Sequence, residues 1–396
     1  MTLTLLLDLD DTLLDTNLDS FIPAYFQALA KYLTPQVAPE KMFRALISGM
    51  RSMSESEDFS RTLAQVFYDD FYSQINVQRE ELDFAIEKFY DNIFPTLSTL
   101  TAQKHDAKPF VDWAFAQGFR IAIATDPLLP RKATHHRLRW AGFEPEQFEI
   151  VSTFDHFHFS KTHPAYYAEM LGRMGWPEGP VLMVGNDMER DILPAQKLGL
   201  ATYHIDSESA SSPSPETGAR GKLQDLRPWL ESSDLSFLIP SFKTVDSILG
   251  ILAATPAVLN GFSYPLDTSS WTHEPTSEDW SLTELVCHLR DTEREIHHMQ
   301  IKPFKEQSEP FIPRPDTSIW ASQRDYLHED GRLALAEFND ARRELLVLLK
   351  NIEVDEWGRK ARHAIFGPTD FLEVVGFIAE HDRMHIQQAW NTLKNM

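Results

Sequence analysis

The sequence predicts a doubly wound parallel α/β domain with an inserted helical subdomain, followed by a separate all-α four-helix bundle. Three observations carry this expectation. Short apolar runs alternate with helical stretches early in the chain, a long helical segment separates the first two runs, and strand-like runs disappear from Ser241 onward. At 396 residues the chain is also well beyond the roughly 150 residues of one ordinary domain.

Taken in order, strands are expected at residues 3–8, 119–125, 148–152, 181–185 and 201–205, each a Leu-rich or β-branched run that ends in polar residues or Gly. Alternation with helices implies a parallel sheet covered on both faces. Residues 17–104 are too long for a crossover and read as an inserted helical subdomain. Its Phe67, Phe71, Phe84 and Phe89 recur at helical spacing and are expected in its core. Residues 206–221, SESASSPSPETGARG with the preceding Asp, read as a flexible loop, and the amphipathic KLQDLRPWLES then closes a first domain at 1–232. The second domain, 241–396, contains helical patterns at 245–259, 281–299, 332–350 and 370–393, the makings of a four-helix bundle. Ser281 followed by Glu284 is a capping-box pattern that marks the start of the second helix.

Composition excludes several functions. The formal net charge is −22, so the summed field repels polyanions, and neither nucleic acid nor an anionic membrane surface is an expected partner. The only cysteine, Cys287, cannot form an internal disulfide, and no CxxC pair offers a thiolate zinc site. The N-terminus has no basic leader, and no window approaches the ~18 apolar residues of a membrane span. A soluble protein of a reducing cytoplasm is expected.

The string LLLDLDDTLLDT places Asp8 and Asp10 directly after an apolar strand. Ligands of open α/β sheets bind beyond the carboxyl ends of strands, so these carboxylates enter the expected crevice. Two such close acids repel each other unless a proton or a divalent cation relieves the repulsion. Thr125 ends the second strand, Asn186, Asp187 and Asp191 follow the fourth, and Lys161 precedes a helix. In order, DLDDT, ATDP, the Lys of FSKTHP and VGNDMERDI resemble the four motifs of the haloacid dehalogenase-like (HAD) superfamily over residues 1–232.

That resemblance implies a Mg²⁺-dependent phosphatase acting on a small phosphate monoester. Asp8 would be the nucleophile that forms an aspartyl-phosphate, Asp10 the acid and base, and Thr125 and Lys161 the ligands of the phosphoryl oxygens. The Asp8 carboxylate, the Asp10 carbonyl and Asp191 would hold Mg²⁺, with Asp187 a direct or water-mediated ligand. The inserted helices resemble the family's cap, which closes over the crevice. Asp126 stands where members often have Asn, Thr162 where Pro is usual, and Asn186 where Asp begins the fourth motif. Family dehalogenases, whose halide needs no proton, lack the second acid, so Asp10 points to phosphate esters.

In the last helix, His381 and His385 share one face at i, i+4, and His288 lies on another helix in a position that can face the same interior. WSLTELVCHLRDTE and FIAEHDRMHIQQAW resemble the DinB/YfiT-like four-helix bundle family, whose metal triad maps onto His288, His381 and His385. Three neutral imidazoles suit Zn²⁺, Ni²⁺ or Fe²⁺. Some relatives are thiol transferases, which would make a low-molecular-weight thiol a second partner. Glu293 is a candidate outer partner of the histidines, His297 and His298 are expected at the surface, and Cys287 is expected as a small buried side chain. Two alternatives stay open: a bundle that only binds ligand or forms a homodimer, and a phosphoryl-transfer mutase in place of a phosphatase.

Overall fold

The computed structural model describes residues 2–34, 36–206, 211–214, 218–276 and 279–394. They form two compact units, Met1–Tyr166 with Pro177–Pro240, and Tyr167–Trp176 with Ser241–Met396.

The first unit is built on β1 (Thr4–Leu7), whose four residues are all buried because Leu side chains leave both faces of the strand for the core. The two-residue strands β2 (Leu14–Asp15) and β3 (Ala102–Gln103) pair antiparallel where the chain leaves for the helical subdomain and returns from it. The other strands are β4 (Arg120–Ile123), β5 (Ile150–Val151), β6 (Val181–Gly185), β7 (Ala201–Ile205), β8 (Ser211–Ser214) and β9 (Gly218–Gly221). They order as β5-β4-β1-β6-β7-β9-β8, parallel except where β8 runs against β9. Register is set by apolar layers: Leu5 lies beside Ile121 on one side and Leu182 on the other. The segment expected as a flexible loop is in part sheet. Ser211–Ser214 and Gly218–Gly221 are strands because each finds a neighbour to complete its ladder, while residues 207–210 and 215–217 lie outside the described residues.

The inserted subdomain consists of α1 (Leu18–Tyr32), α2 (Pro39–Glu55), α3 (Leu63–Ile75) and α4 (Arg79–Asn92), followed by a 3₁₀ turn. An aromatic core of Phe21, Tyr25, Phe26, Phe71, Phe89 and Phe94 holds them together. Phe71 and Phe89 are buried as expected and Phe67 packs partly against them, but Phe84 is 75% exposed. The helical spacing is right and the face is wrong, since residues five apart on a helix (Phe84 and Phe89) point in different directions. Helices α5 (Ala107–Ala116), α6 (Arg131–Trp140), α8 (Leu193–Leu198) and α9 (Leu223–Ser232) complete the α/β pattern, while α7 (Pro164–Arg173) begins in this unit and has most of its length in the second.

In the second unit four long helical runs appear where the pattern placed them: α10 (Val245–Ser263), α12 (Leu282–Thr292) with its extension, α16 (Gly331–Lys350) and α17 (Phe371–Lys394). Short helices α11 (Thr268–Trp271), α13 (His298–Ile301), α14 (Pro303–Glu306) and α15 (Trp320–Gln323) fill the connections. The Ser281 hydroxyl accepts the Glu284 N–H while the Glu284 carboxylate accepts the Ser281 N–H, so the expected capping box is present. Between α12 and α13 a π-helical turn, Glu293–His297, breaks the α-helical spacing. Strands do not vanish after Ser241. The strands β10 (Phe311–Ile312), β11 (Lys360–His363) and β12 (Gly367–Asp370) form a small sheet on the long connections. Helix α10 is long and apolar enough to cross a membrane by length and composition, contrary to expectation, and 61% of that window is buried inside the protein.

Candidate functional site

The turn after β1 begins the first constellation. Asp11 takes a left-handed backbone (φ 56°), which a short polar side chain tolerates, and its carboxylate accepts the Thr16 N–H at 2.9 Å. The Lys104 ammonium bonds the Asp11 carbonyl. This turn leaves Asp8 and Asp10 at the strand's carboxyl end, both almost fully buried.

Lys161, 1% exposed, sets its Nζ 2.7 Å from Asp8 Oδ1 and also pairs with Asp191. Asp191 is carried by a π-helical turn, Met188–Ile192, that follows β6. Gly185 ends that strand because a Cβ there would overlap the Asp191 carboxylate. Burial, and then the charge of Asp8, push the Asp191 carboxyl above its ordinary range, with Lys161 opposing both. Asp187 plays a different part. Its Oδ1 caps the π-helical turn by accepting the Glu189 and Arg190 N–H groups at 2.8 and 3.1 Å, and its own N–H donates to Asp191 Oδ2 at 2.9 Å. The Thr12 hydroxyl donates to Asn186 Oδ1 at 3.2 Å, so the amide at the start of this motif has a local structural partner. Thr125 is 1% exposed at the end of β4, where its carbonyl accepts the Ser152 and Tyr166 hydroxyls. Asp126 accepts the Lys161 N–H at 3.2 Å, and burial pushes its carboxyl up.

Asp10 pairs with Arg137, a fully buried guanidinium on α6. Burial lowers the Arg137 pKa to about 10 even though Asp8 favours its charge. The other Asp10 oxygen, Oδ1, is buried with no hydrogen-bond partner among the described residues.

The second constellation lies in the bundle. His381 Nε2 is 3.2 Å from His288 Nε2 and 3.1 Å from His385 Nε2. Nitrogens that share a tetrahedral metal at about 2.1 Å lie ~3.4 Å apart, nearly the spacing of these two pairs, and one ligand atom from each of the three histidines lies within 4.8 Å of the others. Burial lowers the pKa of each: His288 falls to about 3, helped by His385 and His297, His381 falls well below its ordinary value, and His385 is lowered too. Neutral imidazole is the form that binds metal. Trp280 stacks on the His385 ring at 5.9 Å between centroids.

Behind the histidines runs a buried charged network. Glu293 accepts from Arg342 Nε at 2.6 Å and from Arg342 Nη2 at 3.0 Å, and its Oε2 lies 2.8 Å from His297 Nδ1. Arg342 also donates to the Leu252 carbonyl at 2.8 Å and to Asp382. Glu293 is thus a partner of His297 and Arg342 and of none of the three clustered histidines. His297 is buried, 5.4 Å from the His381 ring, and not at the surface as expected, while His298 is half-buried and bonds the Ala341 carbonyl. Cys287 is fully buried as expected, and burial pushes its thiol up to about 12.

A family model described as haloacid dehalogenase-like hydrolase matches residues 2–199, half of the chain. The chain belongs to the haloacid dehalogenase-like hydrolases. This hydrolase also matches the DinB superfamily over residues 251–389. A glyceraldehyde 3-phosphate phosphatase of Methanocaldococcus jannaschii is 31% identical over 90 residues, which span 23% of this chain and 38% of that enzyme. Pyrophosphatase PpaX of Bacillus cereus is 25% identical over 202 residues, 51% of this chain and 82% of the relative. YfiT of Bacillus subtilis, a four-helix bundle of unusual topology, is 19% identical with a TM-score of 0.35, over 39% of this chain and 88% of that one.

Within the hydrolase, Asp8, Lys161 and Asp191 come together directly. Asp10 is held by Arg137, Thr125 lies just beyond the carboxyl end of β4, and Asp187 caps the turn that carries Asp191. His288, His381 and His385 meet in the bundle. Sequence reasoning missed Arg137, Arg342, His297 and Trp280. The stretch RKATHHRLRW offers no cue that one of its four basic residues is buried.

Proposed function

We propose that the first unit is a Mg²⁺-dependent phosphatase that hydrolyses a small phosphate monoester through an aspartyl-phosphate at Asp8. The observation that carries this reading is the Asp8–Lys161–Asp191 cluster at the carboxyl ends of β1 and β6. Its buried carboxylates, with one ammonium among them, are the hard-oxygen donor set that a small divalent cation selects. Asp8, the Asp10 carbonyl and Asp191 would hold Mg²⁺, with Asp187 a direct or water-mediated ligand, and the ion would supply neutralisation of phosphoryl charge. The Asp8 carboxylate attacks phosphorus, the ester P–O bond breaks, and the leaving oxygen takes a proton from Asp10. Asp10, ionised by that transfer and held in place by Arg137, then takes the proton of the water that cleaves the aspartyl-phosphate. Lys161 and Thr125 bind phosphoryl oxygens. The name of the glyceraldehyde 3-phosphate phosphatase supports a phosphate monoester, and that of the pyrophosphatase supports phosphoryl hydrolysis more broadly.

A phosphate-release screen over a monoester panel, with and without Mg²⁺, tests the reading. In the same assay Asp10→Asn should lower turnover of poor leaving groups by about 10²- to 10⁴-fold. An unchanged rate would remove Asp10 from the mechanism. Transfer of phosphate to product without its release would replace the phosphatase with a mutase.

We further infer that His288, His381 and His385 hold a divalent transition metal, Zn²⁺, Ni²⁺ or Fe²⁺. A metal held there supplies Lewis acidity toward a thiol or a water molecule. His381→Ala or His385→Ala should each reduce bound metal, measured by elemental analysis, to a small fraction of wild type. Loss of a ligand bound only by the folded state should also lower the bundle's melting temperature. Undiminished metal in both variants would show that these histidines are not ligands. A thiol-dependent turnover that requires His288 separates a transferase from a bundle that only binds ligand or dimerises.

A further inference from the structure

A cavity of about 190 Å³ opens beside His381 and is bounded by the π-helical turn, α17, the β11–β12 hairpin and the connection around Arg314. Two features of its wall call for a ligand. The first is aromatic. Phe366 stacks on His363 at 4.9 Å and packs at a tilt against Phe377 at 4.6 Å, yet Phe366 remains 55% exposed. His363 is fixed in place because its Nδ1 accepts the Ile365 and Phe366 N–H groups, both at 3.2 Å. The wall is therefore largely aromatic and exposed on one side, suited to a flat apolar body.

The second feature is charge. Arg314, an exposed side chain, lines the same cavity and makes no ion pair or hydrogen bond with another described residue. Glu380, the carboxylate on this wall, is taken by Arg383 at 2.8 Å. Burial, and then the nearby Arg314 charge, disfavour protonation of His363. In a chain of net charge −22, an unpaired cation on a cavity wall is the local reversal of field that a small anion needs. Guanidinium matches a carboxylate with two parallel hydrogen bonds, which sets orientation as well as affinity.

We propose that this cavity binds a small carboxylate ligand with a flat apolar body. The carboxylate pairs with Arg314, the body lies on the His363–Phe366–Phe377 wall, and the far end faces His381. The position beside His381 makes this ligand the substrate of the bundle only if the metal reading above holds, whereas binding itself does not depend on metal.

The test uses the full chain, chelator-treated and zinc-loaded, with benzoate as probe and neutral benzamide as its control, in calorimetric or NMR titrations. Benzoate should bind more tightly than benzamide. Arg314→Gln should weaken benzoate about tenfold or more, leave benzamide unchanged and keep the zinc content of wild type. Phe366→Ala should weaken both probes. Equal binding of benzoate and benzamide, or a benzoate affinity untouched by Arg314→Gln, would overturn the proposal. Benzoate binding that depends on Arg314 in a protein that takes up no zinc would sustain the cavity assignment and remove zinc alone from the candidate metals.

Discussion

Asp8→Asn is expected to abolish phosphate release while the fold survives. The amide is nearly isosteric with the carboxylate, but it is a poor nucleophile, and loss of a covalent nucleophile costs on the order of 10⁴-fold or more in turnover. The change also removes a negative charge from beside Lys161 and Asp191. Because the Asp8 charge is one cause of the raised Asp191 pKa, the variant should ionise Asp191 more readily and lose no stability from crowding. Phosphate release and thermal melting on the same preparation read both effects. Turnover at the wild-type rate would eliminate the aspartyl-phosphate.

The second large effect is expected at Arg342, which is fully buried between Glu293 and Asp382. Arg342→Ala leaves two buried carboxylates without their counter-charge, and breaking such a pair from one side costs about 3–5 kcal/mol. Replacing all three by Leu, Met and Leu removes the charges together and should be near neutral or stabilising. Burial works against ionisation of Glu293, yet Arg342 and His297 hold its carboxyl down at about 2. A folded-state pKa below the ordinary 4.5 means that the contribution is complete above that value and is lost as pH falls through about 2. Hydrogen exchange at amides of α10 and α16 in the full chain measures the loss locally. Protection equal to wild type in Arg342→Ala would show that the network is not what holds the bundle.

Much of both sites is legible in the amino-acid pattern. Asp8, Thr125 and Asp191 each follow an apolar run that can only be a buried strand, and strand ends of a doubly wound sheet face one crevice. The pair His381 and His385 is readable because i, i+4 positions share a helical face. His297 is misread for a specific reason. It lies nine residues beyond His288, which on an ideal helix at about 100° per residue points it to the opposite side. The π-helical turn Glu293–His297 takes more residues per revolution and swings the imidazole inward. No composition signal announces such a turn. Phe84 fails in the opposite direction, since an apolar residue at roughly helical spacing can fall off the buried face.

The order of elements, the groups at strand ends and the spacing of the paired histidines follow from the residues alone, because they depend on contacts between neighbours in the chain. Long-range packing instead settles the pairing of Arg137 with Asp10 and the bridge that Arg342 makes between Glu293 and Asp382. Both guanidinium groups reach partners dozens of residues away. A charge on a helix is solvated or buried according to which neighbour covers its face, and that neighbour is chosen by the packing of the apolar layers.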